Sequence, residues 1–227
     1  MYIRLSFLSK KNLSNREKKA YVDKFFEEDA MLHSKSKSRN QGFIHKFNNA
    51  IGFKDVVGCC DNYNRYIRPK VSSPKEYTSP DELLKDSLRI DFDGKYIATF
   101  TVEDKYMKHP SARYSYKTRD IILKMEKFAR KVFPELEFFI EELDEVAEQT
   151  RKEFVLDNFI KGISNNIRYS VEVSLDEKLD DKEVKDIVQI LNTICDFNID
   201  ISQKYCKACY EHSDGKYPYH IEINYLD

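Results

Sequence analysis

The residues best spaced for metal chemistry lie near the end of the chain. Cys206 and Cys209 form a Cys-x-x-Cys pair, His212 follows closely, and His220 comes after seven further residues. Thiolate and imidazole groups are the ligands that tetrahedral Zn²⁺ prefers. Structural zinc sites, however, usually take their second ligand pair from a separate knuckle, and His220 falls in a predicted strand, on the same face as Glu222. Two interpretations stay open: a zinc site, or ordinary residues of a loop that joins strands. The sequence predicts no other cofactor.

A second pattern has the residue order of a magnesium-dependent nuclease. Asp81 follows Pro80, and Asp93 and Gly94 precede Lys95, as in the PD-(D/E)xK nuclease signature. Two such carboxylates hold Mg²⁺ while a lysine steadies the attacking water. The predicted surroundings differ, because Pro80 opens a helix and Gly94 lies in a hairpin turn, whereas the nuclease ligands lie within strands. The nuclease is therefore the alternative, and the sequence favours a protein that is not an enzyme.

Other common catalytic motifs are missing. The six glycines include no Gly-x-Gly-x-x-Gly, no P-loop and no Gly-x-Ser-x-Gly elbow, and there is no His-Glu-x-x-His helix. These absences argue against an ATPase, a dinucleotide enzyme, an α/β-hydrolase and a zincin.

The charge of the chain is unevenly divided. Residues 1–75 carry sixteen Lys or Arg against seven Asp or Glu, whereas residues 76–227 carry twenty-two against thirty-two. The net charge is only −1, so this division gives a basic front and an acidic body. A basic surface suits phosphates and an acidic surface suits a basic partner.

The basic front contains the candidate nucleic-acid contacts. Serines alternate with cations in residues 34–39, and aromatic and amide side chains alternate with cations in residues 62–70. Cations bind the phosphate backbone, and aromatic rings stack on unpaired bases. A second segment of this kind, residues 105–117, is predicted to be a long loop. The alternative is that these are solvated loops. The predicted contacts are Lys35, Lys37, Arg39, Lys46, Tyr63, Arg65, Tyr66 and Arg68.

The acidic body contains a candidate protein-binding cluster at the end of one predicted strand. Few Lys or Arg residues compensate its charge, so it could dock against a basic groove in a nucleic-acid-binding protein. A solvated surface is the alternative. The cluster comprises Glu141, Glu142, Asp144, Glu145 and Glu148.

Composition places the chain among soluble, cytoplasmic proteins. No run of 18 apolar residues predicts a membrane span, the N-terminus does not have the pattern of a signal peptide, and five irregularly spaced cysteines do not suit a disulfide framework. A lack of Trp and an abundance of Lys, Asn, Ile and Tyr suggest an AT-rich source such as a phage or mobile element. We therefore expect a non-enzymatic protein that binds RNA, DNA or a nucleoprotein machine, including an inhibitor of a host nuclease of the anti-CRISPR type. A self-associating scaffold is a further alternative, and the sequence does not determine the oligomeric state.

The elements that must position these residues predict an α+β fold. Ser14 and Glu17 form a capping box that opens a helix ending near residue 32, Asp93 and Gly94 form a hairpin turn, and residues 121–132 have helical apolar spacing. A strand at 136–140 and a helix at 144–163 follow. The last sixty residues read strand, helix, strand, strand.

The predicted division of the chain follows its charge. Residues 1–78 form a basic, mostly helical portion with a flexible arm near 33–42, and residues 79–227 form an acidic α+β body. One continuous domain is the alternative. The sheets are mixed or antiparallel and pack against helices.

Overall fold

A computed structural model describes most of the chain as two compact units and confirms the α+β class. Unit 1 comprises Met1–Val57 and Pro74–Glu148, and unit 2 comprises Gly58–Ser73 and Gln149–Asp227. The residues described are 1–26, 42–52, 77, 80–108, 115–166, 170–194, 199–204 and 219–225.

Unit 1 is built on a four-stranded antiparallel sheet with the order β2-β3-β1-β6. With α1–α3 counted as one connection and the small β4–β5 hairpin set aside, the chain order is β-α-β-β-α-β. This is the connectivity of ferredoxin-like folds. Its elements are β1 (Tyr2–Leu8), α1 (Asn15–Phe26), α2 (Phe43–Ala50), α3 (Pro80–Ser87), β2 (Leu88–Ile90), β3 (Tyr96–Glu103), β4 (Tyr106–Lys108), β5 (Ser115–Lys117), α4 (Thr118–Val132) and β6 (Glu137–Leu143).

An aromatic cluster forms the core between the helices and one face of this sheet. Ile3, Leu5 and Phe7 alternate along β1 and are almost completely buried. The Phe7 ring is the centre of the cluster, with the nearest and farthest of its five aromatic neighbours at centroid distances of 5.1 and 6.2 Å. Those neighbours are Phe25, Phe43, Phe100, Phe133 and Phe138.

Two predicted local signals of unit 1 are confirmed. The Ser14 amide donates to Glu17 Oε2 at 2.8 Å, and the Glu17 amide donates to Ser14 Oγ at 3.3 Å, so the capping box opens α1. Gly94 has a φ of 61° in the turn between β2 and β3. A side chain rarely adopts that backbone conformation, which explains the glycine.

Unit 2 contains a three-stranded parallel sheet with the order β7-β9-β8. The predicted strand, helix, strand, strand order of the last sixty residues is confirmed, and the last strand lies in the centre. The elements are α5 (Arg151–Asn166), β7 (Ser170–Leu175), α6 (Asp181–Ile194), β8 (Ile199–Lys204) and β9 (Tyr219–Tyr225).

Three boundaries differ from the sequence predictions. The helix predicted from residue 144 begins at Arg151, because Thr150 and Glu153 form a capping box there. The preceding strand extends to Leu143. The predicted loop at 105–117 has strands at both ends, and its residues 109–114 lie outside the described part of the chain.

The boundaries of the two units do not coincide with the predicted boundary at residue 78, where the charge of the chain changes sign. Strand β1, from the basic front, pairs on both sides with strands of the acidic body, β3 and β6. The arm predicted near 33–42 lies outside the described residues except for its last position. None of the helices in the described ranges has the length and hydropathy of a membrane span.

Candidate nucleic-acid interface

Helix α4 has two faces of opposite character. Ile121, Ile122, Met125 and Ala129 are buried. The opposite face exposes Lys124, Lys127 and Lys131, at positions i, i+3 and i+7. This spacing places the three ammonium groups along one side of the helix, over a length of about 10 Å.

Helix α2, which packs against α4, carries a fourth exposed lysine. The Phe128 ring of α4 packs on Phe43 and Phe47 of α2 at centroid distances of 5.4 and 5.8 Å. Lys46 lies next to Phe47 on the exposed side of α2. Lys124 lies one turn before Phe128, so the flank of α4 that meets α2 borders the lysine row. We call Lys46, Lys124, Lys127 and Lys131 the α2–α4 cationic face.

The charges of this face are not neutralised by ion pairs within the described part of the chain. Many other described cations are paired: Lys19 with Asp23 at 2.6 Å, Lys105 with Glu103 at 2.7 Å, and Arg151 with Glu177 at 2.9 Å. Arg130, one turn after Lys127 on α4, pairs with Glu126. The exposed side of α4 also carries Asp120, one turn before Lys124. Overall, α4 has five Lys or Arg against two Asp or Glu.

The four lysines can bind phosphates through flexible, strongly hydrated point charges. Three of them are absent from the contacts predicted from the sequence, because the apolar spacing of residues 121–132 indicates only the helix. The heptad-like spacing of Lys124, Lys127 and Lys131 on the opposite face is the sequence signal that identifies them.

Most of the predicted nucleic-acid contacts lie outside the described residues. Of that set, the structure places Lys46, at an exposed position of α2. The others, Lys35, Lys37, Arg39, Tyr63, Arg65, Tyr66 and Arg68, stay predictions.

The β4–β5 hairpin presents an aromatic side chain among paired cations. Tyr106 is 71% exposed, the largest exposure among the described large apolar side chains. Lys117 lies 3.8 Å from the carboxylate of Asp104, and Arg119 lies 3.9 Å from it. Because these cations already face carboxylates, the hairpin offers less free positive charge than the α2–α4 cationic face.

The candidate nuclease residues occupy the elements predicted for them. Asp81 is the second residue of α3, and Asp93 and Lys95 are exposed in and beside the β2–β3 turn. The backbone amide of Asp93 donates to Asp91 Oδ1 at 2.8 Å, which stabilises the turn. The three residues thus lie at a helix start and in a turn, whereas the nuclease signature needs ligands within strands.

Of the four candidate zinc ligands, only His220 lies in the part of the chain that the structure describes. His220 lies in the central strand β9, as the predicted alternation requires. Cys206, Cys209 and His212 lie outside the described residues. Among the side chains that the structure describes, no three His, Cys, Asp or Glu are grouped to hold a metal.

The candidate acidic cluster is divided between the two faces of the unit 1 sheet. Glu141 pairs with Arg4 at 3.0 Å, and Arg4 Nε donates to Thr101 Oγ1 at 3.2 Å. Glu142 pairs with Arg119 of α4 and therefore faces the helices. Only the remaining three, Asp144, Glu145 and Glu148, follow β6 at exposed positions with no ion pair to a described residue.

No protein-family model, curated protein or solved structure matches the chain. What the chain binds must therefore be inferred from its own residues and their geometry.

Proposed function

We propose that the chain is a non-enzymatic protein that binds the phosphate backbone of nucleic acid through the α2–α4 cationic face. The observation that supports this proposal is the row of exposed lysines on α4, which make no ion pair to a described residue, together with the exposed Lys46 of α2.

The chemistry of the face determines what kind of recognition it supports. Lysines that displace counterions from phosphates bind all sequences similarly and weaken steeply as salt increases. Base-specific recognition needs side chains that reach base edges or stack on bases, and the α2–α4 cationic face contains none. The face therefore supports binding that depends on charge more than on sequence.

The basic segment that precedes α2 extends this proposal. Lys35, Lys37 and Arg39 lie a few residues before Phe43, where α2 begins. They are joined by a short length of chain to the helix that carries Lys46, so both can serve one ligand. Tyr63 and Tyr66 would then stack on unpaired bases.

The first test compares two pairs of lysines with matched placement. Lys124 and Lys127 are exposed three positions apart on α4, and Lys182 and Lys185 are exposed three positions apart on α6. We expect K124A/K127A to weaken the binding of labelled single-stranded RNA and duplex DNA by about tenfold, and K182A/K185A to leave it unchanged. Fluorescence anisotropy at about 50 mM and about 200 mM salt gives both affinities and salt dependence.

The outcomes separate this function from its alternatives. Equal effects of the two double variants would show that the α2–α4 cationic face is not the site. No binding at low salt would contradict nucleic-acid binding and direct attention to a protein partner, including a host nuclease that the chain inhibits. Cleavage of the labelled nucleic acid in Mg²⁺, abolished by Asp93→Ala, would show that the chain is a nuclease.

A further inference from the structure

The β4–β5 hairpin has one buried face and one exposed face. Met107 is 5% exposed and is paired with the half-buried Tyr116. Tyr106, one position before Met107, is 71% exposed and is paired with Lys117. Residues directly opposite each other in an antiparallel pair lie on the same face, with their Cβ atoms about 5 Å apart. The side chains of Tyr106 and Lys117 therefore lie next to each other on the exposed face of the hairpin.

Lys117 connects this exposed face to the lysines of α4. It is the N-cap residue of α4, and Lys117, Lys124 and Lys131 occupy positions i, i+7 and i+14. A repeat of seven residues drifts by only about 20° around a straight helix, so the three lysines lie along one side of α4. The helical rise places Lys124 about 10 Å from Lys117 along the helix axis. Tyr106 therefore lies at the N-terminal end of the lysine row.

The hairpin itself offers little free charge to a phosphate. The side chain of Asp104 is only 9% exposed, and its carboxylate lies 3.8 Å from Lys117 Nζ and 3.9 Å from Arg119 Nη1. Arg119 also pairs with Glu142. These two cations and two carboxylates balance in charge, whereas the exposed lysines within α4 make no ion pair to a described residue. The hairpin thus supplies an exposed aromatic ring, and the lysine row supplies the positive charge.

The Tyr106 ring is available for a ligand. Within the described part of the chain it makes no aromatic or cation–π contact, and its hydroxyl makes no hydrogen bond. Proteins that bind single strands combine cations that follow the phosphate backbone with aromatic rings on which unpaired bases stack. The bases of a duplex are already stacked on one another, so they do not offer a free face to the ring.

We propose that Tyr106 stacks on an unpaired base of a single strand whose phosphates are bound by the lysine row of α4. The stacking rests on the phosphate binding proposed above, and it gives the chain a preference for single strands over duplexes. Phosphates of a stacked strand are about 3.4 Å apart along its axis. The distance of about 10 Å between Lys117 and Lys124 therefore corresponds to about three nucleotides, and the ring and the lysines can bind one strand together.

The test uses three variants of exposed tyrosines in the full chain. We expect Tyr106→Ala to weaken the binding of single-stranded RNA and DNA of about 12 nucleotides by about tenfold, and to leave the binding of duplex DNA unchanged. Tyr106→Phe keeps the ring and should bind as the unaltered chain does. Tyr96→Ala is the matched control, because Tyr96 is also exposed but lies at the opposite end of β3 from the hairpin. Fluorescence anisotropy gives these affinities.

A second measurement reports the stacking directly. The base analogue 2-aminopurine loses fluorescence when it stacks on another ring. A single strand that contains it should therefore be quenched by the unaltered chain and by Tyr106→Phe. With Tyr106→Ala at saturating concentration, we expect most of this quenching to be lost.

Two results would overturn the stacking and leave the α2–α4 cationic face in place. One is binding of single strands by Tyr106→Ala that is as tight as that of the unaltered chain. The other is an equal loss of single-strand and duplex binding in that variant. In both cases K124A/K127A would still weaken the binding of both ligands. If the unaltered chain binds neither ligand at low salt, the proposed function and the stacking are both wrong.

Discussion

Lys18 is the buried cation that holds the β2–β3 turn. Its side chain is 1% exposed, and its Nζ donates to the backbone carbonyl of Asp93 at 2.8 Å. Burial lowers the pKa of Lys18, and the carboxylates of Asp91 and Asp93 partly oppose that shift. The β2–β3 turn, which contains the candidate nuclease residue Asp93, is therefore held to helix α1 by this hydrogen bond.

Lys18 predicts a specific pH dependence of stability. Because its pKa is lower in the folded chain, the unfolded chain holds the proton to higher pH. The contribution of Lys18 to folding stability should therefore rise with pH between its lowered pKa and the ordinary value of 10.5. Lys18→Met removes this contribution. We expect the difference in unfolding free energy between the unaltered chain and Lys18→Met to shift in favour of the unaltered chain as pH increases from about 8 to about 10.

Urea unfolding followed by circular dichroism at each pH measures this difference. Tyr21 and Tyr77 have raised pKa values, chiefly through burial, and raised tyrosine pKa values lower stability as pH increases. Both tyrosines are present in the two proteins, so their effects cancel in the comparison. If the difference in unfolding free energy stays constant across this pH range, the pKa of Lys18 is not lowered by folding.

At the scale of elements, Gly162 determines how closely α5 approaches β7. A Cβ at this position would lie 2.8 Å from Val171 Cγ2 and 3.5 Å from Cγ1. The branched valine side chain has little freedom to rotate away. The structure thus shows a close contact between helix α5 and strand β7 at Gly162.

This contact predicts that Gly162→Ala lowers the stability of the unaltered chain but raises the stability of a Val171→Ala variant. Alanine is favoured over glycine within a helix by about 1 kcal/mol, but here the clash should dominate and Gly162→Ala should destabilise the chain by about 1–3 kcal/mol. In a Val171→Ala background the clashing methyl groups are absent, so the same substitution should stabilise by up to about 1 kcal/mol. Denaturant unfolding of the four proteins gives the coupling energy. Equal effects of Gly162→Ala in both backgrounds would show that the contact does not limit the packing.

At the scale of the whole molecule, the division of charge along the sequence is redistributed by folding. The basic front supplies β1, whose Arg4 neutralises Glu141 of the acidic body. The acidic body supplies α4, which exposes Lys124, Lys127 and Lys131. The net charge of a sequence segment is therefore a poor guide to the charge of a surface.

The basic segment before α2 predicts a change in salt dependence. Lys35→Glu, Lys37→Glu and Arg39→Glu together should weaken nucleic-acid binding and lower the slope of log K against log salt concentration by about 2–3. The same reversals at Lys178, Lys182 and Lys185 form a control with an equal change of charge. Anisotropy titrations over a series of salt concentrations measure both slopes. An unchanged slope in the first triple variant would exclude the segment from the interface.

Local signals were sufficient to predict the elements that depend on neighbouring residues. The Ser14–Glu17 capping box, the Asp93–Gly94 turn and the alternation in β9 each involve residues within a few positions of one another. Their free energies depend on dihedral preferences and short-range hydrogen bonds, which are the same in any fold. The helix start at Arg151 also depends on a local capping box, formed by Thr150 and Glu153, so its position is predictable from the sequence as well.

Which residues those elements bring together depends on tertiary packing. Patterns along the chain predict an α+β fold with a basic front and a final strand, helix, strand, strand segment. They do not predict that β1 and β9 are interior strands, that Glu141 and Glu142 meet different arginines, or that Glu172 and Glu222 lie opposite each other in the strand register. Each of these outcomes joins residues distant along the chain. Their pairing depends on which strands bury the most apolar surface together, and that competition involves the whole of each unit at once.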